Sequence, residues 1–485
     1  MKTIQNILQV ILLIGLFAVV QSCGEQDTTK EETKLSIDFE KYTLENGLQV
    51  ILHKDDSDPI VSAAIMYHVG SNREVEGRTG FAHLFEHMLF QESENVPQDQ
   101  FFKKIQDAGG TLNGGTWQDG TVYYEVVPKN ALEMVLWLES DRMGFLINTV
   151  TETAFANQQE VVQNEKRQRV DNNPYGHTSY VIDKNIFPKG HPYNWQVIGE
   201  LVDLQNATVE DVKEFYRKFY GPNNATLVLA GDFDTKEAKA LIEKYFGEIK
   251  KGPEVPPLEI RNVTLDKTVR LYHEDNFARA AQLNMVWPTI HEAHKDQYAL
   301  QFLGQLLSEG KKAPLYKVLV KEKELTSNTV AYSRVMEVAG KFRVSITANE
   351  GKNLTDIESA VLEAFKKFEE EGITDKDIER VKASLETDVY NGISSILNKS
   401  FQLANYNVFR GDPGFITQDV ENILAVSKED VLNVYNKYIK DKPYVITSFV
   451  PKGGLDLVAE NSVKAEVVEE EISENTEKKV ADATP

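Results

Sequence analysis

Two imidazoles and a carboxylate fall within five residues of the chain, in the stretch His83-Leu84-Phe85-Glu86-His87. On a helix, residues four apart lie one above the other on the same face, so His83 and His87 can point to one position. Glu86 directly precedes His87 and can reach the same edge. Neutral imidazoles are standard zinc ligands, and a nearby unligated carboxylate can take a proton from water. The spacing therefore predicts a zinc site with His83 and His87 as ligands and Glu86 as a general base.

The flanking residues argue against a chance pairing of histidines on a solvated helix. Residues 80–82 and 88–90 are glycine or apolar, so the helix is otherwise hydrophobic. Buried polar side chains need partners, because leaving them unsatisfied is costly. A metal ion is such a partner, and a merely structural histidine pair is the alternative. The order H-x-x-E-H is the inverse of the H-E-x-x-H motif of metallopeptidases.

Length and composition indicate an acidic globular protein with more than one domain. The chain has 485 residues, which is too long for one ordinary hydrophobic core. Hydrophobic residues make up 41% and charged residues 26%, as in typical globular proteins. Lysine and arginine number 53 against 75 acidic residues, which gives a formal net charge of −22. No basic patch dominates, so we expect no nucleic acid as a partner.

The beginning of the chain is typical of a bacterial lipoprotein signal. Residues 7–20 are almost entirely apolar, but the run is too short to span a bilayer comfortably. Ser22 and Cys23 follow as in a lipobox, and Cys23 is the only cysteine, so no internal disulfide is possible. We expect residues 1–23 to be a lipoprotein signal peptide with lipidation at Cys23, and residues 24–35 to be a flexible tether. An uncleaved membrane anchor is the alternative.

Either form of attachment places the protein in the bacterial cell envelope, bound to a membrane through its N-terminus. Gly24 stands where an aspartate commonly retains bacterial lipoproteins at the inner membrane. This favours the outer membrane, and we expect a lipid-anchored protein at the outer membrane or facing the periplasm.

Strand-like and helical segments interleave after the tether, and hairpins predominate. The β-rich residues 49–52 and 61–69 predict one hairpin. Residues 111–117 and 121–127 predict another, joined by the turn Gln118-Asp119-Gly120. The expected helices cover about 98–107, 131–145, 152–169 and 208–220. This pattern favours the α+β class, with antiparallel sheets covered by helices.

An internal repeat is visible at an offset of 219 residues. Thr208-Val209-Glu210-Asp211-Val212 corresponds to Ser427-Lys428-Glu429-Asp430-Val431, and Tyr216 corresponds to Tyr435. A β-rich run follows both segments. We therefore predict two tandem homologous domains, each an antiparallel sheet covered by helices.

The repeat also suggests the domain boundaries. We expect an N-terminal zinc-bearing peptidase domain at 36–250 and a homologous C-terminal domain at 266–452. The joint near residues 250–257 is rich in lysine, glycine and proline, so we expect a linker at 251–265. Residues 453–485 are predicted to be a disordered acidic tail.

The second domain is expected to lack a metal site. At the repeat offset, the metal positions fall on Phe302, Gln305 and Leu306, and no second H-x-x-E-H occurs in the chain. The first domain needs one more protein ligand, because a hydrolytic zinc site has three and keeps one position open. The helix expected at 152–169 offers Glu160 and Glu165, and spacing alone does not choose between them.

Several motifs together resemble the pitrilysin/insulinase family of zinc metallopeptidases, most closely its bacterial members of mitochondrial processing peptidase type. They are the stretch 83–87, the segment Val161-Val162-x-x-Glu165, and Asn113 followed by Thr116 and Thr121. The resemblance covers about residues 39–451. It implies that Glu165 is the third zinc ligand, that Glu86 is the general base, and that one zinc ion is bound per chain.

The resemblance also implies how a substrate binds and where it is cleaved. Two such domain pairs close around a chamber, and a peptide adds as an extra strand to a sheet edge beside the metal. The strand at 110–116, with Asn113 and Thr116 as substrate-binding residues, would supply this edge. The expected function is a zinc endopeptidase that hydrolyses peptides or unfolded polypeptide segments. A non-catalytic structural or peptide-binding subunit of the same fold is the alternative.

Two departures from the family pattern bear on this expectation. Gln158 replaces a family carboxylate seven residues before the ligand Glu165. Val320 and Ser327 stand where active members carry an arginine and a tyrosine that reach the substrate carbonyl. Losing such a donor costs roughly two to three orders of magnitude in rate. We therefore expect a metal-free homologous subunit to supply the Arg/Tyr pair in a heterodimer, with a homodimer as the alternative.

Overall fold

The computed structural model describes residues 35–467, and residues 37–467 belong to one compact unit. Within this part of the chain, the strands form two six-stranded sheets. The strands of the first sheet are β1 (Glu40–Thr43), β2 (Gln49–Lys54), β3 (Ile60–Tyr67), β4 (Thr111–Thr116), β5 (Thr121–Pro128) and β6 (Ala225–Gly231). Their order is β1-β2-β6-β3-β5-β4, so β4 lies at an edge. All neighbours are antiparallel except β2 and β6.

The second sheet repeats this topology. Its strands are β7 (Val269–Asp275), β8 (Gln282–Thr289), β9 (Val330–Val335), β10 (Gly340–Thr347), β11 (Val445–Pro451) and β12 (Val463–Lys464), in the order β12-β7-β11-β8-β10-β9. As in the first sheet, a central parallel pair, here β7 with β11, is followed by antiparallel pairs toward the edge strand. The sixth strand differs, because β12 pairs parallel with β7 whereas β1 pairs antiparallel with β2. The predicted α+β fold with two related halves is confirmed, but each sheet is mixed rather than purely antiparallel.

The helices cover the sheets. In the first half they are α1 (Phe81–Met88), α2 (Gln100–Asp107), α3 (Leu132–Phe145), α4 (Glu152–Lys166), α5 (Thr178–Ile186), α6 (Leu201–Asn206), α7 (Val209–Phe219) and α8 (Thr235–Phe246). In the second half they are α9 (Asp296–Ser308), α10 (Leu354–Glu371), α11 (Asp375–Asn391), α12 (Ile396–Arg410), α13 (Ile416–Ala425) and α14 (Lys428–Val434). The repeated segments become α7 and α14, each opened by a capping box at Thr208 or Ser427.

The two halves exchange one helix each. The helix α12 packs on β3 and β6 of the first sheet, where Asn407 Nδ2 donates to Thr226 Oγ1 at 2.8 Å. In return, α5 packs on β8 and β11 of the second sheet and places Val181 and Ile186 in a shared core with Val286. The sheets are therefore covered on both faces, which explains why all seven residues of β6 are buried. The expected boundaries at 250 and 266 stay a prediction, and residues 251–265 contain no helix or strand.

Two expectations were wrong. The segments 49–52 and 61–69 do not pair as a hairpin, because β6 lies between β2 and β3 and takes the hydrogen bonds of both. The predicted disordered tail is ordered as far as residue 467, since β12 extends the second sheet beside β7 and the Ala465 N–H donates to the Tyr272 carbonyl at 2.7 Å.

Some terminal predictions lie outside the described residues. These are the signal peptide with Cys23, nearly all of the tether, and the tail from residue 468 onward. Between residues 35 and 467, no helix combines the length and the apolar character that crossing a membrane requires.

Candidate metal centre

The helix α1 is fixed by its apolar face. Its buried hydrophobic residues are Phe81, Ala82, Leu84, Phe85 and Met88. The Phe85 ring stacks on Phe215 of α7, with the ring centroids 6.0 Å apart. Because α7 occupies this side, the side with His83 and His87 meets α4, which carries Glu165.

The structure brings the three predicted ligands together. The nearest Glu165 oxygen, Oε2, lies 3.0 Å from His87 Nε2 and 3.6 Å from His83 Nε2. The candidate ligand atoms of the three residues all lie within 4.8 Å of one another. Atoms bound to one tetrahedral zinc at about 2.0–2.2 Å lie about 3.4 Å apart. Two imidazoles and a carboxylate at this spacing fit a zinc ion, and this is the only such cluster of three within residues 35–467.

The electrostatics of the cluster favour metal ligation. Burial, with a smaller contribution from the neighbouring His87, lowers the pKa of His83 to about 4, so His83 is neutral at pH 7. The hydrogen bond with His87 lowers the pKa of Glu165, which keeps it ionised. The other Glu165 oxygen, Oε1, pairs with Arg169 Nη1 at 2.8 Å. Neutral imidazole and ionised carboxylate are the forms that bind divalent metals.

Glu86 lies beside the cluster and is tied to the edge strand. Burial raises the pKa of Glu86, while hydrogen bonds from the hydroxyl and the backbone N–H of Thr116 oppose this rise. Thr116 is the last residue of β4. The side chain expected to act as a base is therefore held by the strand expected to bind substrate.

The remaining candidates fall in different environments. On α4, Glu160 is exposed, whereas Glu165 lies in the cluster, so the structure separates the two acids that spacing left equivalent. Gln158 is buried on the same helix. Asn113 is exposed on β4, and its Oδ1 accepts from the Gly114 N–H at 2.8 Å. The substrate-binding roles of Asn113 and Thr116 stay predictions.

Sequence reasoning missed Glu74. This buried side chain accepts hydrogen bonds from the backbone N–H groups of Gly80 and Ala82, each at 2.9 Å, at the start of α1. Capping acids normally sit within a few residues of the helix they cap, whereas Glu74 belongs to the preceding loop. No local pattern could have identified it.

Comparison with known proteins identifies the family. A family model described as Insulinase (Peptidase family M16) matches residues 49–187, the part that contains α1, β4 and α4. A second model, described as Peptidase M16 inactive domain, matches residues 206–385, and the two matches together cover more than half of the chain. The chain belongs to peptidase family M16. The expected membership of the pitrilysin/insulinase family is confirmed.

Individual M16 relatives align over nearly their whole length. The chain is 28% identical to the zinc protease PqqE of Helicobacter pylori over 414 residues, which cover 83% of this chain and 90% of that protein. A crystal structure of a protease from Helicobacter pylori superposes with a TM-score of 0.79 at 27% identity, covering 86% of this chain and 100% of the other.

A further structural neighbour is named as an inactive domain and not as a protease. It is a crystal structure of a peptidase M16 inactive domain from Pseudomonas fluorescens, with a TM-score of 0.75 and 18% identity over 89% of this chain and 100% of that one. At this identity the likeness shows the fold alone. M16 relatives thus include a named zinc protease and a named inactive domain, and the function has to be argued from the site.

Proposed function

We propose that this chain is a zinc-dependent endopeptidase that hydrolyses peptides or unfolded polypeptide segments in a closed chamber. The observation that carries the proposal is the meeting of His83, His87 and Glu165 in one cluster, with Glu86 beside it. Three protein ligands and one adjacent carboxylate are what a hydrolytic zinc site needs. The similarity to a zinc protease of Helicobacter pylori supports the assignment.

The residues of the cluster divide the chemistry between them. His83 and His87, through their imidazole nitrogens, and Glu165, through its carboxylate, would hold one zinc ion per chain. Zinc, when bound, supplies Lewis acidity that lowers the pKa of a water molecule to about 7. Glu86 takes the proton of the attacking water on its carboxylate and delivers it to the leaving amine nitrogen. Thr116 lies beside the Glu86 carboxylate, and its hydrogen bonding favours the ionised form of Glu86 that can accept this proton.

The edge strand β4 suggests how a peptide reaches the site. Its inner side pairs with β5, and no described strand pairs with its outer side. A substrate in extended conformation can add there by main-chain hydrogen bonds, which requires no particular sequence. Asn113 is exposed along this edge, and Thr116 contacts Glu86, so a peptide bound here passes beside the general base.

The second half suggests a partner. Val320, in a π-helical turn at Tyr316–Glu322, is half-buried, and Ser327 is exposed. Val320 has no side-chain donor, and the Ser327 hydroxyl lies on a much shorter side chain than that of a tyrosine, so the two residues do not reproduce an Arg/Tyr pair. We infer that a homologous metal-free subunit supplies this pair in a heterodimer. We further infer that a lipid on Cys23 anchors the assembly in the bacterial cell envelope.

The decisive experiment is the substitution Glu86→Gln. We expect the variant to keep one zinc ion per chain and to lose roughly 100- to 10,000-fold in kcat/KM, the usual contribution of a general base. Zinc content is measured by elemental analysis, and cleavage by a fluorogenic peptide assay on the chain alone and with its candidate partner. Glu160→Gln is the matched control, because Glu160 is an exposed acid on α4 that lies outside the cluster.

A second candidate function is a non-catalytic peptide-binding subunit. The replacement of the Arg/Tyr pair by Val320 and Ser327 favours it. This function predicts peptide binding without cleavage under every condition of the assay, including the mixture with the partner. Zinc-dependent cleavage that disappears with a chelator would reject it, and full activity in Glu86→Gln would reject the proposed role of Glu86.

A further inference from the structure

The helix α1 begins without a capping side chain of its own. The first N–H groups of any helix lack partners within the helix and need acceptors from elsewhere. The residue at the N-cap position is Gly80, in a left-handed conformation with φ of 88°, and it has no side chain that could accept. Glu74 fills this role, because its Oε2 accepts from the Gly80 N–H and its Oε1 from the Ala82 N–H, each at 2.9 Å.

A conventional cap has no room at this position. A Cβ added to Gly80 would lie 2.7 Å from the Ile198 carbonyl oxygen and 3.1 Å from the Cα of Gly199. The close approach of the backbone at 198–199 therefore excludes serine, threonine, asparagine or aspartate, the usual N-cap residues. Only an acceptor that arrives from outside the helix can satisfy these donors, and Glu74 does so from the preceding loop.

The capping carboxyl is costly to keep where it is. Glu74 is 6% exposed, and burial raises its pKa to about 8 despite the hydrogen bonds from the helix start. Transferring a carboxylate out of water disfavours its charged form, and hydrogen-bond donors offset this only in part. Retaining such a group at the start of α1 points to a role beyond stability.

The cap at the start of α1 matters for His83, because no hydrogen bond at Nδ1 within residues 35–467 fixes the orientation of its ring. A metal-ligating histidine usually donates its second ring N–H to an oxygen atom, which fixes the orientation of the ring. The Nδ1 atom of His83 is buried and has no hydrogen-bond partner among the described residues. The orientation of its imidazole must therefore come from the backbone of α1, and Ala82, the residue just before His83, is one of the two groups that Glu74 holds.

We propose that Glu74 is a positioning residue for the metal: it fixes the first turn of α1 so that His83 and His87 keep their spacing to Glu165. The inference rests on the proposed zinc function. Among the described residues, no hydrogen bond or ion pair joins Glu74 to a candidate ligand side chain, and Glu74 acts on His83 through the backbone. Its loss is expected to change how tightly and in what geometry the metal is held.

The test compares Glu74→Gln with wild type in zinc affinity and metal geometry. Gln is isosteric but places an amide donor against one of the two N–H groups, so one hydrogen bond is lost. We expect zinc affinity, measured by competition with a chelator, to fall roughly 10- to 100-fold, as for other outer partners of metal ligands. We also expect a shifted visible spectrum of the cobalt-substituted protein, which reports on ligand geometry independently of activity.

Two further variants separate positioning from stability. Asp377→Asn removes a capping carboxylate from α11, a helix that carries no proposed ligand, and should lower thermal stability without changing zinc affinity. Glu74→Asp keeps the carboxyl group but is one methylene shorter, and it should restore part of the zinc affinity lost in Glu74→Gln. It also serves as the test variant if Glu74→Gln does not fold.

The outcomes distinguish this inference from the function on which it rests. Equal zinc affinity and an unchanged cobalt spectrum in wild type and a folded Glu74 variant would overturn the inference alone. Equal losses of zinc affinity in the Glu74 variants and Asp377→Asn would also overturn it, by showing a general effect of destabilisation. A wild-type chain that binds no zinc would overturn the proposed function together with the inference.

Discussion

The two halves of the molecule share a topology and differ in what one helix carries. In the first half, α1 presents His83, Glu86 and His87 to α4. At the repeat offset, the corresponding residues of α9 are Phe302, Gln305 and Leu306, and both Phe302 and Leu306 are buried in the core of the second half. The same position in the fold thus serves packing in one half and candidate ligands in the other. The architecture therefore does not need a metal at this position.

The largest expected effect concerns the ligand that the second half lacks. Glu165→Ala should lower zinc affinity well beyond the roughly 10- to 100-fold cost of losing an outer partner, and cleavage should disappear with it. Glu160→Ala, an exposed acid on the same helix, should change neither. Chelator competition and the peptide assay measure both variants. Zinc loss in Glu160→Ala with retention in Glu165→Ala would reverse the assignment.

The next prediction compares two residues that correspond at the repeat offset, Phe302 in the second half and His83 in the first, in their effects on stability and on zinc binding. Phe302→Ala should cost about 3–5 kcal/mol of unfolding free energy, because a fully buried ring leaves a cavity, and should leave zinc binding intact. His83→Ala should cost about 1 kcal/mol in the metal-free protein, the size of an ordinary substitution, and should abolish zinc binding.

Urea unfolding with a chelator present measures both variants under the same conditions. Because His83 Nδ1 is buried without a partner in the described residues, its removal relieves an unsatisfied polar atom. A cost for His83→Ala as large as that for Phe302→Ala would contradict the contrast between the two helices.

Sequence patterns predicted the features that depend on local chemistry. The spacing of His83, Glu86 and His87 located the cluster, and the capping pattern at Thr208 and Ser427 revealed the repeat, because each signal lies within a few residues. The failures involve partners that are distant in the chain. The strand β6, at residues 225–231, lies between β2 and β3, and no sequence pattern near residue 60 predicts this insertion.

The same limit applies to the site. Spacing left Glu160 and Glu165 equivalent. The family resemblance favoured Glu165, and the packing of α4 on α1 places Glu165 in the cluster. The link from Thr116 to Glu86 joins a strand end to a helix, and the cap from Glu74 joins a loop to the same helix. Such contacts depend on tertiary structure, so neither residue type nor hydrophobic periodicity predicts them.

The corresponding hairpin turns of the two halves are in contact, and each carries one acid. The pKa values of these two acids are shifted in opposite directions. Asp119, between β4 and β5, accepts from the backbone N–H of Glu337, between β9 and β10, at 3.1 Å. Burial raises the pKa of Asp119 to about 6. At Glu337, burial alone would raise the pKa, but the hydrogen bond and charge of His68, together with Arg73 and Asn72, lower it. These two acids, one in each turn, therefore have opposite effects on the pH dependence of stability.

These opposite pKa shifts predict that the contributions of the two acids to the free energy of unfolding change with pH in opposite directions. The contribution of Asp119 is fully present below about pH 4 and is lost as the pH rises through about 6, because its folded pKa is raised. The stability of wild type relative to Asp119→Asn should thus fall by up to about 3 kcal/mol between about pH 4 and 7, at about 1.4 kcal/mol per pKa unit. Relative to Glu337→Gln it should instead fall on acidification. Slopes of the same sign in urea unfolding would contradict the assigned directions.

The smallest expected effect concerns the feature that both halves share. In each capping box, the N-cap hydroxyl donates to the carboxylate three residues on, from Thr208 to Asp211 at 2.7 Å and from Ser427 to Asp430 at 2.6 Å. Thr208→Ala and Ser427→Ala should therefore each cost about 1 kcal/mol of unfolding free energy, the usual value of an N-cap. Because α5 and α12 tie each half to the sheet of the other, we expect both losses in one cooperative urea transition. Two separate transitions, each shifted by only one variant, would show that the halves unfold independently despite the exchanged helices.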